Sequence, residues 1–187
     1  MKATELLRDE HRHIARALVV LEEMASRTKA GEAINIGDAE GLVHVLEGFA
    51  DRHHQGKEEA ILFPALLQDH GQQNYNALCR LIFEHNRERF LTEGLQDAIQ
   101  GGKARDFVYC ATCLVEKMRA HIDSEEHGLF GLTNAALTPD EDERVAEEMQ
   151  QFEQAWQKHV LPGLLQQLDK LEKKYGGKTQ SGHARAS

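Results

Sequence analysis

The sequence predicts an all-α protein, an up-and-down four-helix bundle with an additional C-terminal helix. Three observations predict it. Strong helix formers dominate a chain that has only 3 prolines and 6 % aromatic residues. Apolar residues recur at three- and four-residue spacing over long stretches. Glycines and a Thr-Pro pair fall where those stretches should end or begin. A length of 187 residues suits one well-filled core.

Helix A carries Leu6, Ile14, Leu18 and Leu21 on one face and closes at Gly31, a residue type that tolerates the left-handed conformation. Asp38 is the expected N-cap of helix B, in which Leu42, Val45, Leu46, Phe49, His53 and Ile61 recur up to about Leu67; His70 and Gly71 mark the turn. Helix C runs from about Asn74 to Gln100 with Leu78, Leu81, Ile82, Leu91 and Leu95 inward, and Gly101-Gly102 ends it. Helix D spans about Ala104 to Leu132. Thr138-Pro139-Asp140-Glu141 reads as an N-cap, a first-position proline and an acidic first turn, opening helix E, which reaches about Tyr175. Pro162 removes a backbone donor within it, so a kink or break is expected near Lys158 to Val160. Residues 1–135 are thus expected to form the bundle and 139–175 a helix packed on it or extending it. The polar, Gly/Ser-rich tail 176–187 is expected to be disordered.

A formal net charge of −9 and the lack of a basic stripe argue against a nucleic-acid partner. No apolar run is long enough to span a membrane, and MKATELLRDEH lacks a signal-peptide core, so a cytoplasmic protein is expected. Of the three cysteines, Cys110 and Cys113 lie one helical turn apart and read as small buried hydrophobes rather than a redox pair.

A histidine followed four residues later by an acid presents nitrogen and oxygen on one helix face. His54 with Glu58 and His121 with Glu125 satisfy this, although with 11 histidines and 31 acids in 187 residues about two such pairs arise by chance. Their frame lifts them above chance: HQGKEEAILFP from His54 and HIDSEEHGLFG from His121 share His, both Glu, Leu and Phe in register. Glu10-His11 on helix A and Glu84-His85 on helix C place one histidine ahead of each segment, so the chain reads as two hairpins of one design. Burying these carboxylates without a cation is unfavourable, and mixed nitrogen and oxygen donors in a bundle core suit iron better than calcium or magnesium, with zinc and manganese left open. Two six-coordinate ions need about 12 donor contacts, of which four histidines, two bridging glutamates and an oxo or hydroxo bridge leave about two open to water or a ligand.

With DEHRHI on helix A, HHQGKEEAILFP on B, FEHNRERF on C and HIDSEEHGLF on D, the sequence resembles the hemerythrin family, in its bacterial HHE cation-binding form, over residues 1–135. The resemblance implies two non-haem iron ions in a four-helix bundle that carries, senses or processes oxygen, nitric oxide or peroxide. It implies His11, His54, Glu58, His85, His121 and Glu125 as iron ligands, with Glu58 and Glu125 as bridges. Oxygen-carrying members have a second histidine one turn after the helix C histidine and an acid five residues after that of helix D; here Arg89 and Glu126 stand there. Arg89 is expected to leave one metal more open and to orient an anionic oxygen species.

Among the other candidates, His53 and His13 are expected off the ligand face, and His127 in an outer or exposed role. Glu10 and Glu84 could each accept a hydrogen bond from a coordinated imidazole. Tyr109 and Trp156 read as core aromatics. The functional expectation is a di-iron protein handling a small ligand in stress protection or sensing, extending to slow peroxide decomposition. The alternatives are a signalling module read out through helix E, with a homodimer compatible, and iron storage or detoxification.

Overall fold

The computed structural model describes residues 2–68, 71–157 and 160–176, all helices and their connections, with no strand among them. Helix α1 (Lys2–Lys29) buries Leu7, His11, Ile14, Leu18, Leu21 and Ala25, a single stripe at helical spacing. It ends as expected at Gly31, whose φ of +101° lets Glu32 N–H donate back to the Arg27 carbonyl at 3.0 Å. Gly102, φ +62°, closes the third rod in the same way through Lys103 N–H and the Ala98 carbonyl at 2.8 Å.

The second rod is α2 (Ile36–Val45), two π-helical segments (Leu46–Gln55 and Glu58–Leu62) and α3 (Phe63–Gln68). The residues that join these segments keep right-handed helical dihedrals, so the rod is continuous. Its N-cap is Asn35, not Asp38: Asn35 Oδ1 accepts from Asp38 N–H at 3.0 Å. Asp38 instead accepts from Tyr175 Oη at 2.5 Å and pairs with Lys174. The third rod is α4 (Gly71–Gln100), which already includes Gly71; His70 lies outside the described residues. The fourth is α5 (Ala104–Ser124), a π-helical turn (Glu125–Leu129) and α6 (Phe130–Ala136).

Helix E is two helices, α7 (Pro139–Gln157) and α8 (Leu161–Tyr175), with Pro162 in the first turn of α8. The break therefore falls where the proline predicts it, although Lys158 and His159, like 177–187, lie outside the described residues. Thr138 and Glu141 form a reciprocal capping box, Thr138 N–H donating to Glu141 Oε2 at 2.7 Å and Glu141 N–H to Thr138 Oγ1 at 3.4 Å. Asp142 of α7 accepts from the N–H groups of Lys2 and Ala3 at 2.9 and 3.2 Å, capping α1 from another helix. Helix α8 lies against α1 and α2. Its approach depends on glycine: a Cβ at Gly48 would sit 2.6 Å from Leu164 Cδ1.

Two apolar clusters fill the bundle. One includes Leu18, Leu46, Leu95, Leu114 and Leu168; the other, towards the N-terminus of α1, includes Leu7, Leu62, Leu78, Phe130 and Met149. Cys110 and Cys113 are half-buried against the first. Two aromatic and aliphatic placements differ from expectation. Tyr109 is 68 % exposed, and Ile82 shares the outer face of α4 with Tyr75, Phe83 and Phe90. The side chain of Trp156 lies outside the described residues. No helix among the described residues is long and apolar enough to cross a membrane.

Candidate metal centre

Between the two apolar clusters lies a polar layer, to which every rod contributes. The HxxxE spacing on the second and fourth rods stacks His54 over Glu58 and His121 over Glu125. A π turn begins at each of these glutamates, so that Phe63 N–H donates to the Glu58 carbonyl and Phe130 N–H to the Glu125 carbonyl. Widened turns of this kind concentrate at functional sites. Pro64, which has no N–H to give, follows the first of them.

The six residues expected to act together do converge. His11, His54, Glu58 and Glu125 form one fully buried group, and Glu58, His85, His121 and Glu125 another, with donor atoms in each within 4.8 Å of one another. Glu58 and Glu125 belong to both. His11 Nε2 lies 3.2 Å from Glu125 Oε2, His121 Nε2 3.2 Å from Glu125 Oε1, and His85 Nε2 3.4 Å from Glu58 Oε2.

Behind each imidazole stands an outer carboxylate on its Nδ1. Glu10 holds His54 at 2.9 Å, Glu84 holds His121 at 2.9 Å, Glu59 holds His85 at 2.7 Å and Glu126 holds His11 at 3.0 Å. The pattern is two-fold: the acid before each lone histidine serves the partner of its hairpin, and the second acid of each HxxxEE serves a histidine of the other hairpin. An Nδ1–H donated outward leaves Nε2 with its lone pair pointing inward, the tautomer a metal requires.

Burial alone would pull the His85 imidazole down, but Glu58 and Glu59 outweigh it and push it up to about 10. His121 is likewise pushed up to about 9, Glu125 and Glu84 overcoming its burial. Burial raises Glu58, yet His54, His85 and His121 bring it down to about 2. Glu58, His85 and His121 thus stay charged although sealed from water, held by mutual pairing.

A cation pair fits this donor set. His54 Nε2 and both oxygens of Glu58 are buried without a hydrogen-bond partner among the described residues. Buried polar atoms are rarely left so, and these three face the same space as the other donors. Two carboxylates shared between two His-containing groups suit two transition-metal ions, with the nitrogen and oxygen mixture that iron takes.

Arg89 departs from expectation. Its guanidinium donates to Asp51 Oδ1 at 2.6 Å and to Glu59 Oε1 at 2.8 Å, so it braces the carboxylate that holds His85 instead of facing the donor layer. His53, expected off the ligand face, is also buried: its Nε2 lies 3.1 Å from Glu10 Oε1, because α7 covers that side with Glu153. Lys57, fully buried, pairs with Glu10 and reaches Glu153 at 2.6 Å. His13 is half-buried against Phe49, and His127 is exposed. Sequence reasoning missed the outer roles of Glu59 and Glu126; the signal was the doubled acid in each HxxxEE, of which only the first was used.

A profile of the hemerythrin HHE cation binding domain matches residues 2–133. No curated protein and no solved structure matches the chain.

Proposed function

The chain belongs to the hemerythrin HHE cation-binding family, and from that premise we propose that it is a cytoplasmic non-haem di-iron protein that handles a small ligand, oxygen, nitric oxide or peroxide, in stress protection or sensing. His11 and His54 would hold one iron, His85 and His121 the other, and Glu58 and Glu125 would join them. Residues 1–135 are the metal-holding unit in this reading and 139–175 a brace upon it. The observation that carries it is the orphaned Nε2 of His54 beside the two orphaned oxygens of Glu58, at the meeting point of four imidazoles each fixed from behind. Iron supplies a redox couple and open coordination positions for a small ligand.

The chain's own part is positioning and exclusion. Glu10, Glu59, Glu84 and Glu126 fix four imidazole orientations, and the apolar clusters on either side keep bulk water and larger molecules out. Arg89 acts at one remove, by holding Glu59. Metal content and the visible spectrum, before and after azide or peroxide, test the proposal. About two irons per chain with a spectrum that responds is the expected result; a single zinc, or no metal after anaerobic ferrous loading, would sink it.

A second reading, signalling through the C-terminal helices, draws on Lys57, which ties Glu10 and hence His54 to Glu153 of α7. Hydrogen exchange in α7 that differs between loaded and metal-free protein would support it; identical exchange would remove it.

A further inference from the structure

Four large apolar side chains stand in solvent on a single helix. Along α4, Tyr75, Ile82, Phe83 and Phe90 are 57, 39, 68 and 72 % exposed. They are not scattered. Exposed Cys79 and Asn86 fill the three- and four-residue steps between them, and exposed Glu93 and Asp97 carry the same stripe towards the end of the helix. The stripe is roughly 33 Å long at 1.5 Å per residue. Helix α4 packs on α5 and the second rod, whereas α7 and α8 lie against α1 on the other side of the bundle. A contiguous apolar face left open in this way marks an interaction surface.

The charges on the face select what fits it. Exposed Arg80 and Arg87 flank its N-terminal half, and Glu93 and Asp97 occupy its C-terminal half. A parallel copy of α4 would set like charges together. An antiparallel copy sets each basic half against the acidic half of the other, with the aromatic middle packed on itself. Residues 177–187 have alanine as their largest apolar side chain and so offer no anchor for the aromatic residues. At roughly 200 Å² for a full side chain, the exposed parts of the four apolar residues present roughly 450 Å² per copy. Two such faces with their flanking charges reach about 1,000 Å², the lower end of specific interfaces.

We propose that the open face of α4 is a two-fold dimer interface, across which a second copy of this chain lays its own α4 antiparallel. The dimer does not rest on the di-iron reading, and the metal layer of each copy remains its own.

Sedimentation equilibrium of the full chain tests it, in reducing buffer so that exposed Cys79 forms no cross-link. Across about 1 to 500 µM the mass is expected to rise from one chain to two, with a dissociation constant on the order of 10 µM. Phe83→Glu combined with Phe90→Glu should weaken association at least about 100-fold with an unchanged helical signal. The charges supply a second arm. A chain with Arg80→Glu and Arg87→Glu, and another with Glu93→Lys and Asp97→Lys, should each stay monomeric alone and pair when mixed. Should the aromatic variant lose its helical signal, the mixed charge variants decide alone. One-chain mass throughout the range, a dimer that survives the two aromatic substitutions, or charge variants that fail to pair would overturn the proposal.

Discussion

The Nε2 atoms of His85 and His121 face each other at 3.1 Å, with their rings edge to face. Each ring is pinned from behind, by Glu59 at 2.7 Å and Glu84 at 2.9 Å. Without a metal, the surrounding carboxylates hold both rings protonated, so two imidazolium edges face each other there. The rings are oriented for a common electrophile, and their outer carboxylates decide that orientation.

Removing either carboxylate should therefore weaken metal binding without unfolding the chain. Glu59→Ala and Glu84→Ala are each expected to lower dication affinity by about 10- to 100-fold. Chelator competition measures this, with helical circular dichroism as the control. Unchanged affinity in both variants would mean that the rings are oriented by packing alone.

The paired charges give the metal-free chain a defined pH profile. His85 and His121, raised from 6.5 to about 10 and about 9, contribute stability that is fully present below 6.5 and lost as pH rises through 9 to 10. Glu58, lowered from 4.5 to about 2, contributes stability that is present above 4.5 and lost as pH falls through about 2. Chelator-treated protein should thus melt highest between about pH 4.5 and 6.5. Metal affinity should run the other way, rising with pH as protons leave Nε2. A melting temperature of the metal-free chain that climbs steadily from pH 6.5 to 10 would contradict the pairing.

Lys57 is fully buried and joins Glu10 to Glu153. Lys57→Met removes the ammonium that both carboxylates share and is expected to cost about 3–5 kcal/mol in urea unfolding. Adding Glu153→Leu should recover part of that loss. If the double variant is no more stable than Lys57→Met, the penalty comes from the shape of the site and not from its charge.

Gly48→Ala would put a methyl group 2.6 Å from Leu164 Cδ1 and 3.1 Å from Cδ2. Leu164 is 2 % exposed and has little room to yield, so a loss of about 1–3 kcal/mol is expected. Combining it with Leu164→Ala should cost less than the sum of the two single changes, because they share one contact. Strict additivity would place the strain elsewhere.

The four rods were legible because each keeps an apolar stripe at helical period, and the first and third stop at Gly31 and Gly102. The convergence of His11, His54, Glu58, His85, His121 and Glu125 was legible because the HxxxEE frame occurs twice in register. What escaped depends on tertiary contact. His53 and His54 are adjacent, yet both are buried, His53 between Phe49, Glu10 of α1 and Glu153 of α7. Arg89 stands one turn after His85, but the acids of the second rod draw its guanidinium outward. The π turns at Glu58 and Glu125 leave no local periodic signal, and Asn35 displaced Asp38 because either side chain could start that helix.

The outer hydrogen bonds cross between hairpins: His11 leans on Glu126, and His85 on Glu59. Neither half of the chain owns a finished set of donors. During synthesis the first hairpin is complete long before Glu126 has been made, and until then His11 has neither Glu125 nor Glu126 beside it. Competence at this centre is consequently withheld from the nascent chain until its last bundle rod folds back onto the first.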